Sequence, residues 1–205
     1  MAREKFQQMI EGKIDNMEDG TIFIVSDFSD IAPVTAINMS LSRLTEENRI
    51  RRILRGIYDK PRYSKLLGEP VAADPSKVAD AIARKNRWSI LPAGDTALNL
   101  LHLSTQMSVV WLYVSDGPYK EYEYNHFKIS FRHTSNKEAT GYSYHTGLLI
   151  QGLKALGKEQ IDDKVIEKLR NGLPNEERKK IFVEAKGTTA WIYEYIKKIC
   201  REEPE

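Results

Sequence analysis

Residues 33–61 read PVTAINMSLSRLTEENRIRRILRGIYDKP, and the pattern changes period halfway along. In the first half Ile37, Leu41 and Leu44 recur at i, i+4 and i+7, which is one helical face, and Pro33 stands where such a helix would begin. In the second half residues 50–54 and 57–59 are short β-type runs joined by Arg55-Gly56, a hairpin signal that Pro61 closes.

Working toward the N-terminus, Phe6, Met9, Ile10, Ile14 and Met17 place an amphipathic helix over residues 3–17, which Gly20 ends. Residues 21–25 form a brief β-branched run, and Ser26 and Asp27 can each cap a short helix over 28–31. The order helix, strand, helix, helix, hairpin is that of a winged helix-turn-helix, expected over residues 1–62.

Toward the C-terminus, residues 63–73 read as a connecting segment. Asp74-Pro75 then starts a helix that runs to Asn86. A strand follows over 88–91, and Gly94-Asp95 opens a helix carrying Ala97, Leu98, Leu101 and Leu103. Residues 109–114 form an apolar strand, and Asp116-Gly117-Pro118 forms a turn. Residues 119–124 and 127–133 make a hairpin around Asn125-His126, and from His145 onward the chain reads as helices over 146–156, 162–170, 175–186 and 189–201. The fold class is therefore α+β, with a partner-binding domain expected over 63–205.

Composition narrows the function. From Leu41 to Lys65 there are eight basic residues against three acids, a local +5 on a chain whose net charge is +2. That clustering suggests one surface that meets a polyanion. The single cysteine, Cys200, excludes a disulfide within the chain, and no stretch nears ~18 consecutive apolar residues. With no apolar leader at its start, the chain reads as soluble and cytoplasmic.

In a helix-turn-helix the second helix enters the major groove of double-stranded DNA. Opposite the stripe of Ile37, Leu41 and Leu44 the helix presents Thr35, Asn38, Met39, Ser42 and Arg43. Asn can bond adenine and Arg guanine bidentately, Thr and Ser reach bases or phosphates, and Met can touch a thymine methyl. Arg51, Arg52 and Arg55 of the hairpin would lie over the backbone or minor groove. Six phosphate contacts would give a salt slope of about −5.

The signals for catalysis are sparse. The histidines, His102, His126, His133 and His145, have no i, i+4 pair or metal-binding spacing. His102 reads as a core or boundary residue on an apolar helix, and His126 and His145 as turn and helix-start residues. His133, beside Arg132 at a strand end, is the one candidate for chemistry. There is no phosphate-binding glycine loop or nucleophile elbow, Cys200 has no evident activating base, and no metal or cofactor is expected. Tyr113 reads as strand packing. Tyr119, Tyr122 and Tyr124, near the hairpin tip, are candidates for a protein-binding face along with Arg132 and His133.

The stretch 36–61, with Ser-Leu-Ser-Arg-Leu and Ile-Arg-Arg-Ile-Leu-Arg-Gly-Ile-Tyr-Asp-Lys-Pro, resembles the winged-helix N-terminus of the AbiEi-type antitoxins. The likeness continues through Tyr-Ser-Lys-Leu-Leu-Gly at 63–68 and Leu-Pro-Ala-Gly-Asp-Thr-Ala-Leu-Asn-Leu-Leu-His-Leu-Ser at 91–104. It implies a transcriptional autorepressor and antitoxin whose larger C-terminal region neutralises a nucleotidyltransferase-like toxin. Glu47-Asn48 stands where that family's pattern would have Gly before the wing, and Asn48 can adopt the left-handed conformation the turn needs. Two other functions fit the same residues. One is a free-standing transcription factor with a ligand-sensing or dimerising C-terminal domain, and the other a nucleic-acid-processing enzyme centred on Arg132 and His133.

Overall fold

The computed structural model describes residues 2–106, 108–135 and 141–201. The fold is α+β and divides into two compact units, Met1–Arg87 and Trp88–Glu205.

The first unit comprises α1 (Ala2–Asp15), β1 (Ile22–Ile24), a 3-10 turn at Val25–Phe28, α2 (Val34–Glu46), β2 (Arg51–Leu54), β3 (Ile57–Asp59) and α3 (Pro75–Asn86). Its sheet has the order β1-β3-β2 and is antiparallel throughout, with Phe23 opposite Tyr58 and Ile22 opposite Asp59. Side chains alternate along a strand, so Phe23 and Tyr58 share one face while Ile22, Ile24, Ile57 and Asp59 share the other. Phe23 stacks on Tyr58 and meets Phe28 edge-on, inside a core with Ile10, Ile14, Ile37, Leu41 and Leu44 from α1 and α2. The opposite face also has to be covered, because every residue of β1 and β3 is buried. α3 covers it, with Val78, Ala79 and Ile82 buried.

That second cover moves the domain boundary. The expected break after residue 62 lies instead at Arg87, since residues 63–86 complete the first unit. Arg84 bonds the Ile22 carbonyl and the Asp27 carboxylate, and Lys85 Nζ donates to the Arg55 carbonyl. The short helix expected at 28–31 starts earlier, at Val25, because the Asp27 carboxylate accepts the Ile24 N–H at 2.9 Å.

The second unit comprises β4 (Ile90–Pro92), α4 (Gly94–Leu100), β5 (Val110–Ser115), β6 (Lys120–Tyr124), β7 (Phe127–His133), α5 (Tyr144–Leu156), α6 (Asp163–Gly172), α7 (Asn175–Glu184) and α8 (Ala190–Cys200). The sheet order is β4-β5-β7-β6, with β5 and β7 parallel and the other pairs antiparallel. α5 is buried continuously from Thr146 to Leu153. It meets α4 and β4 as well as α7 and α8, so Leu149, Ile150 and Leu153 join a core with Ile166, Leu169, Ile181, Ile192, Ile196 and Ile199.

The turn expected at Asp116-Gly117-Pro118 is tightly held. Asp116 accepts the Ser89 N–H, the Gly117 N–H donates to Ser115 Oγ, and the Trp88 indole lies against Gly117 with its edge to Phe131. A Cβ on Gly117 would sit 2.5 Å from two indole carbons, and a rigid ring held against Phe131 cannot yield cheaply. Gly117→Ala is therefore expected to cost about 1–3 kcal/mol by overpacking, measured by denaturant unfolding. A midpoint equal to that of the native chain would refute this account of the turn.

Candidate nucleic-acid interface

α2 buries Ile37, Ser40, Leu41 and Leu44 and exposes Thr35, Asn38, Met39, Ser42 and Arg43, so the two faces fall where the periodicity put them. The side chains of Thr35 and Asn38 make no hydrogen bond among the described residues, while Ser42 Oγ is 3.3 Å from Glu46. The helix ends in a Schellman motif. Asn48 sits at φ +58°, its N–H bonds the Thr45 carbonyl, and the Arg49 N–H bonds the Leu44 carbonyl. The left-handed residue needed before the hairpin is thus Asn48 itself. Gly56, at φ +73°, supplies the other left-handed position at the β2–β3 turn.

Charge around this helix is less uniform than the basic cluster suggests. Arg43 bonds Glu47 at 2.9 Å and Gln7 at 3.1 Å. Arg49 bridges Glu11 and Asp15 on α1, and the Asp15 hydrogen bond raises its pKa. Glu11 is held below the usual carboxylate range by its hydrogen bond from Gln7, with Arg49 adding to the effect. Lys60 donates to the Asp15 and Met17 carbonyls and pairs with Asp19.

Arg51 departs furthest from the role expected of it. Its guanidinium takes the buried Asp59 carboxylate at 3.1 and 2.5 Å and also donates to the Val71 carbonyl at 2.8 Å. It braces the sheet, so it is not presented to phosphate. Four of the eight clustered cations thus face carboxylates, leaving Arg52, Arg55, Arg62 and Lys65 exposed and without a side-chain partner among the described residues. Sequence reading missed this bracing, although the register offered a sign of it: Arg51 lies directly across from Asp59.

In the second unit the residues proposed for partner binding separate. Tyr119 is exposed, Tyr122 is half-buried with its ring edge-on to Phe131, and Tyr124 is buried. Tyr124 is therefore a packing residue, as the period-2 alternation that buries it along β6 requires. Arg132 and His133 are exposed at the end of β7, and His133 Nδ1 donates to the Gly117 carbonyl at 2.9 Å. His102 is neither core nor boundary. It is exposed, at φ +58°, and closes α4 in a second Schellman motif.

Two further groups are structural. Glu184 Oε2 accepts from the Ser143 N–H, Ser143 Oγ and Thr146 Oγ1, fastening α7 to the start of α5. Burial pushes its carboxyl up, but these hydrogen bonds outweigh that and hold its pKa below the usual value. Burial pushes the Cys200 thiol up to about 11 against the pull of Arg178, so it is almost entirely protonated near neutral pH. Among the described residues no group of three His, Cys, Asp or Glu could hold a metal ion, and no helix is long and apolar enough to cross a membrane.

The chain is an α+β protein of two units, the first presenting a polar helix face and a cationic hairpin. It belongs to a family described as a family of unknown function (DUF6088), which matches residues 9–181. No curated protein matches the chain. Neither result links it to the AbiEi-type antitoxins.

Arg51→Ala would leave a buried carboxylate without its partner and is expected to cost about 3 kcal/mol, measured by denaturant unfolding. Arg52→Ala, on the exposed side of the same strand, should change stability by less than about 0.5 kcal/mol. Equal effects from the two would remove the distinction drawn here.

Proposed function

We propose that the first unit is a winged helix-turn-helix that binds double-stranded DNA, with α2 in the major groove and the β2–β3 hairpin as the wing. The observation that carries this reading is the exposed face of α2. Thr35, Asn38, Met39 and Ser42 lie outside the core on a helix that runs straight into a cationic hairpin. The sheet order β1-β3-β2 supports it, because it sets the hairpin beside the strand that precedes the helices. Thr35 and Asn38 read bases, Met39 contacts a thymine methyl, and Ser42 reaches a base or phosphate. Arg43 reads guanine once it leaves Glu47, and Arg52 and Arg55 bind phosphates.

The resemblance to AbiEi-type antitoxins supplies the rest of the proposal. The protein represses its own promoter, and its second unit neutralises a nucleotidyltransferase-like toxin, acting by binding and without catalysis. Tyr119, Arg132 and His133 are the exposed residues offered to that partner.

The test is a fluorescence-anisotropy titration on the protein's own upstream DNA over a range of salt. With four unpaired cations available, log affinity should fall with log salt at a slope of about −3.6, shallower than six contacts would give. Arg52→Ala and Arg55→Ala should each reduce that slope by about one, whereas Asn38→Ala should relax base preference at a cost of about 1–3 kcal/mol. A slope near zero, or scrambled DNA bound equally well, would overturn the DNA-binding reading. Failure to co-purify with the product of an adjacent nucleotidyltransferase-like gene would overturn only the antitoxin half.

A further inference from the structure

After β3 the chain makes a tight loop over residues 63–70, YSKLLGEP, whose backbone closes on itself. The Ser64 N–H donates to the Glu69 carbonyl and the Gly68 N–H to the Ser64 carbonyl, both at 2.9 Å. The Leu67 N–H reaches Ser64 Oγ at 3.2 Å, and Gly68, at φ +68°, allows the reversal. Tyr63 bridges Pro70 at the base, where the Val71 N–H bonds the Arg62 carbonyl at 2.7 Å. The Arg51 bond to the Val71 carbonyl ties that base to the sheet.

The loop therefore holds its shape with hydrogen bonds and leaves its apolar side chains outside. Leu66 is 91% exposed, Leu67 70% and Tyr63 54%, and the leucines follow Tyr63 by three and four residues. Apolar side chains scattered singly over a surface are ordinary, but several gathered on one fixed loop mark an interaction site. A tip already held in one shape also loses little freedom when it binds.

Charge at the rim selects the occupant. Arg62 and Lys65 are exposed cations and Glu69 an exposed carboxylate, and their side chains make no hydrogen bond or ion pair among the described residues. A polyanion or an acidic partner would meet Glu69 beside the leucines, and a basic partner would meet the two cations. A second copy of the chain meets both signs with their opposites, because a two-fold axis sets Lys65 of each copy toward Glu69 of the other. We infer that this loop is the contact of a homodimer, in which Leu66 and Leu67 pack against the same residues of the second copy inside two Lys65–Glu69 pairs. The loop is far smaller than the ~20–30 residues a side of a standard interface, so the contact is weak and reversible, with Kd of about 10–100 µM. At the sub-micromolar concentrations of a DNA titration the chain is then monomeric, and the four cations counted for DNA stay available. The inference concerns the protein without DNA, so its failure leaves the DNA-binding reading intact.

The experiment is sedimentation equilibrium of the full chain without DNA, from about 1 µM to about 1 mM, where a single monomer–dimer equilibrium is expected. Leu66→Asp should weaken dimerisation at least about tenfold by placing a charge at the centre of the contact. Lys65→Glu and Glu69→Lys should each weaken it about threefold or more, and the two together should restore it, because the pairs are then reversed. Should Leu66→Asp fail to fold, Leu67→Asp and the charge reversals decide. A monomer throughout would overturn the inference, and amide chemical shifts at residues 63–69 that moved only on adding DNA would assign the tip to the duplex instead. Dimerisation undiminished in Leu66→Asp, or a double reversal no tighter than either single change, would overturn it as well.

Discussion

The first unit depends on a carboxylate that has no water. Asp59 lies on the central strand of a sheet covered on both faces, and an isolated charge there would be prohibitively costly. Arg51 satisfies it from the neighbouring strand with two hydrogen bonds, and the same guanidinium holds the Val71 carbonyl. One side chain therefore sets the hairpin register and draws the segment after the hairpin back against the sheet. That segment leads into α3, whose Arg84 and Lys85 then grip the end of β1 and the hairpin turn. The return of residues 63–73 thus has two causes, the apolar face that α3 covers and the Arg51 link to the Val71 carbonyl.

The basic cluster accordingly serves two purposes that composition cannot separate. Arg43, Arg49, Arg51 and Lys60 join elements of the fold to one another, while Arg52, Arg55, Arg62 and Lys65 reach solvent. Adjacent residues on one strand fall into different groups because successive side chains point to opposite faces. The local charge of the cluster is a property of sequence, but the charge available to a polyanion depends on which carboxylates the fold brings alongside.

Much of the architecture was legible in the sequence because it rests on local physics. The stripe Ile37, Leu41 and Leu44, the Asp74-Pro75 helix start, the Arg55-Gly56 turn and the hairpin at Asn125-His126 each express a short-range preference, and each lies where it was expected. Pairings between residues distant in the chain were harder to see. The boundary moved from residue 62 to Arg87 because α3 was needed on the far side of the sheet. A sign of this was present, since Ile22-Phe23-Ile24 has no polar alternation and so reads as a strand buried on both faces. His102 was misplaced because apolar neighbours masked a helix end. On α2 the exposed face was legible in full, whereas the ties of Arg43 and Arg51 depend on Glu47, Gln7, Asp59 and Val71 lying where only the fold puts them.

The hairpin has a colloidal consequence as well. β2 is an edge strand, and a register shift between Arg52 and Leu54 interrupts its ladder. At the edge of the other sheet β6 carries Lys120, Glu121 and Glu123, and at its opposite edge β4 is three residues long and ends in Pro92. Charge, irregular pairing, short length and proline all discourage two copies from joining edge to edge. The cation of Arg52, proposed above as a phosphate contact, thus also guards an open strand, and a chain stripped of its hairpin charges would become stickier toward its own kind.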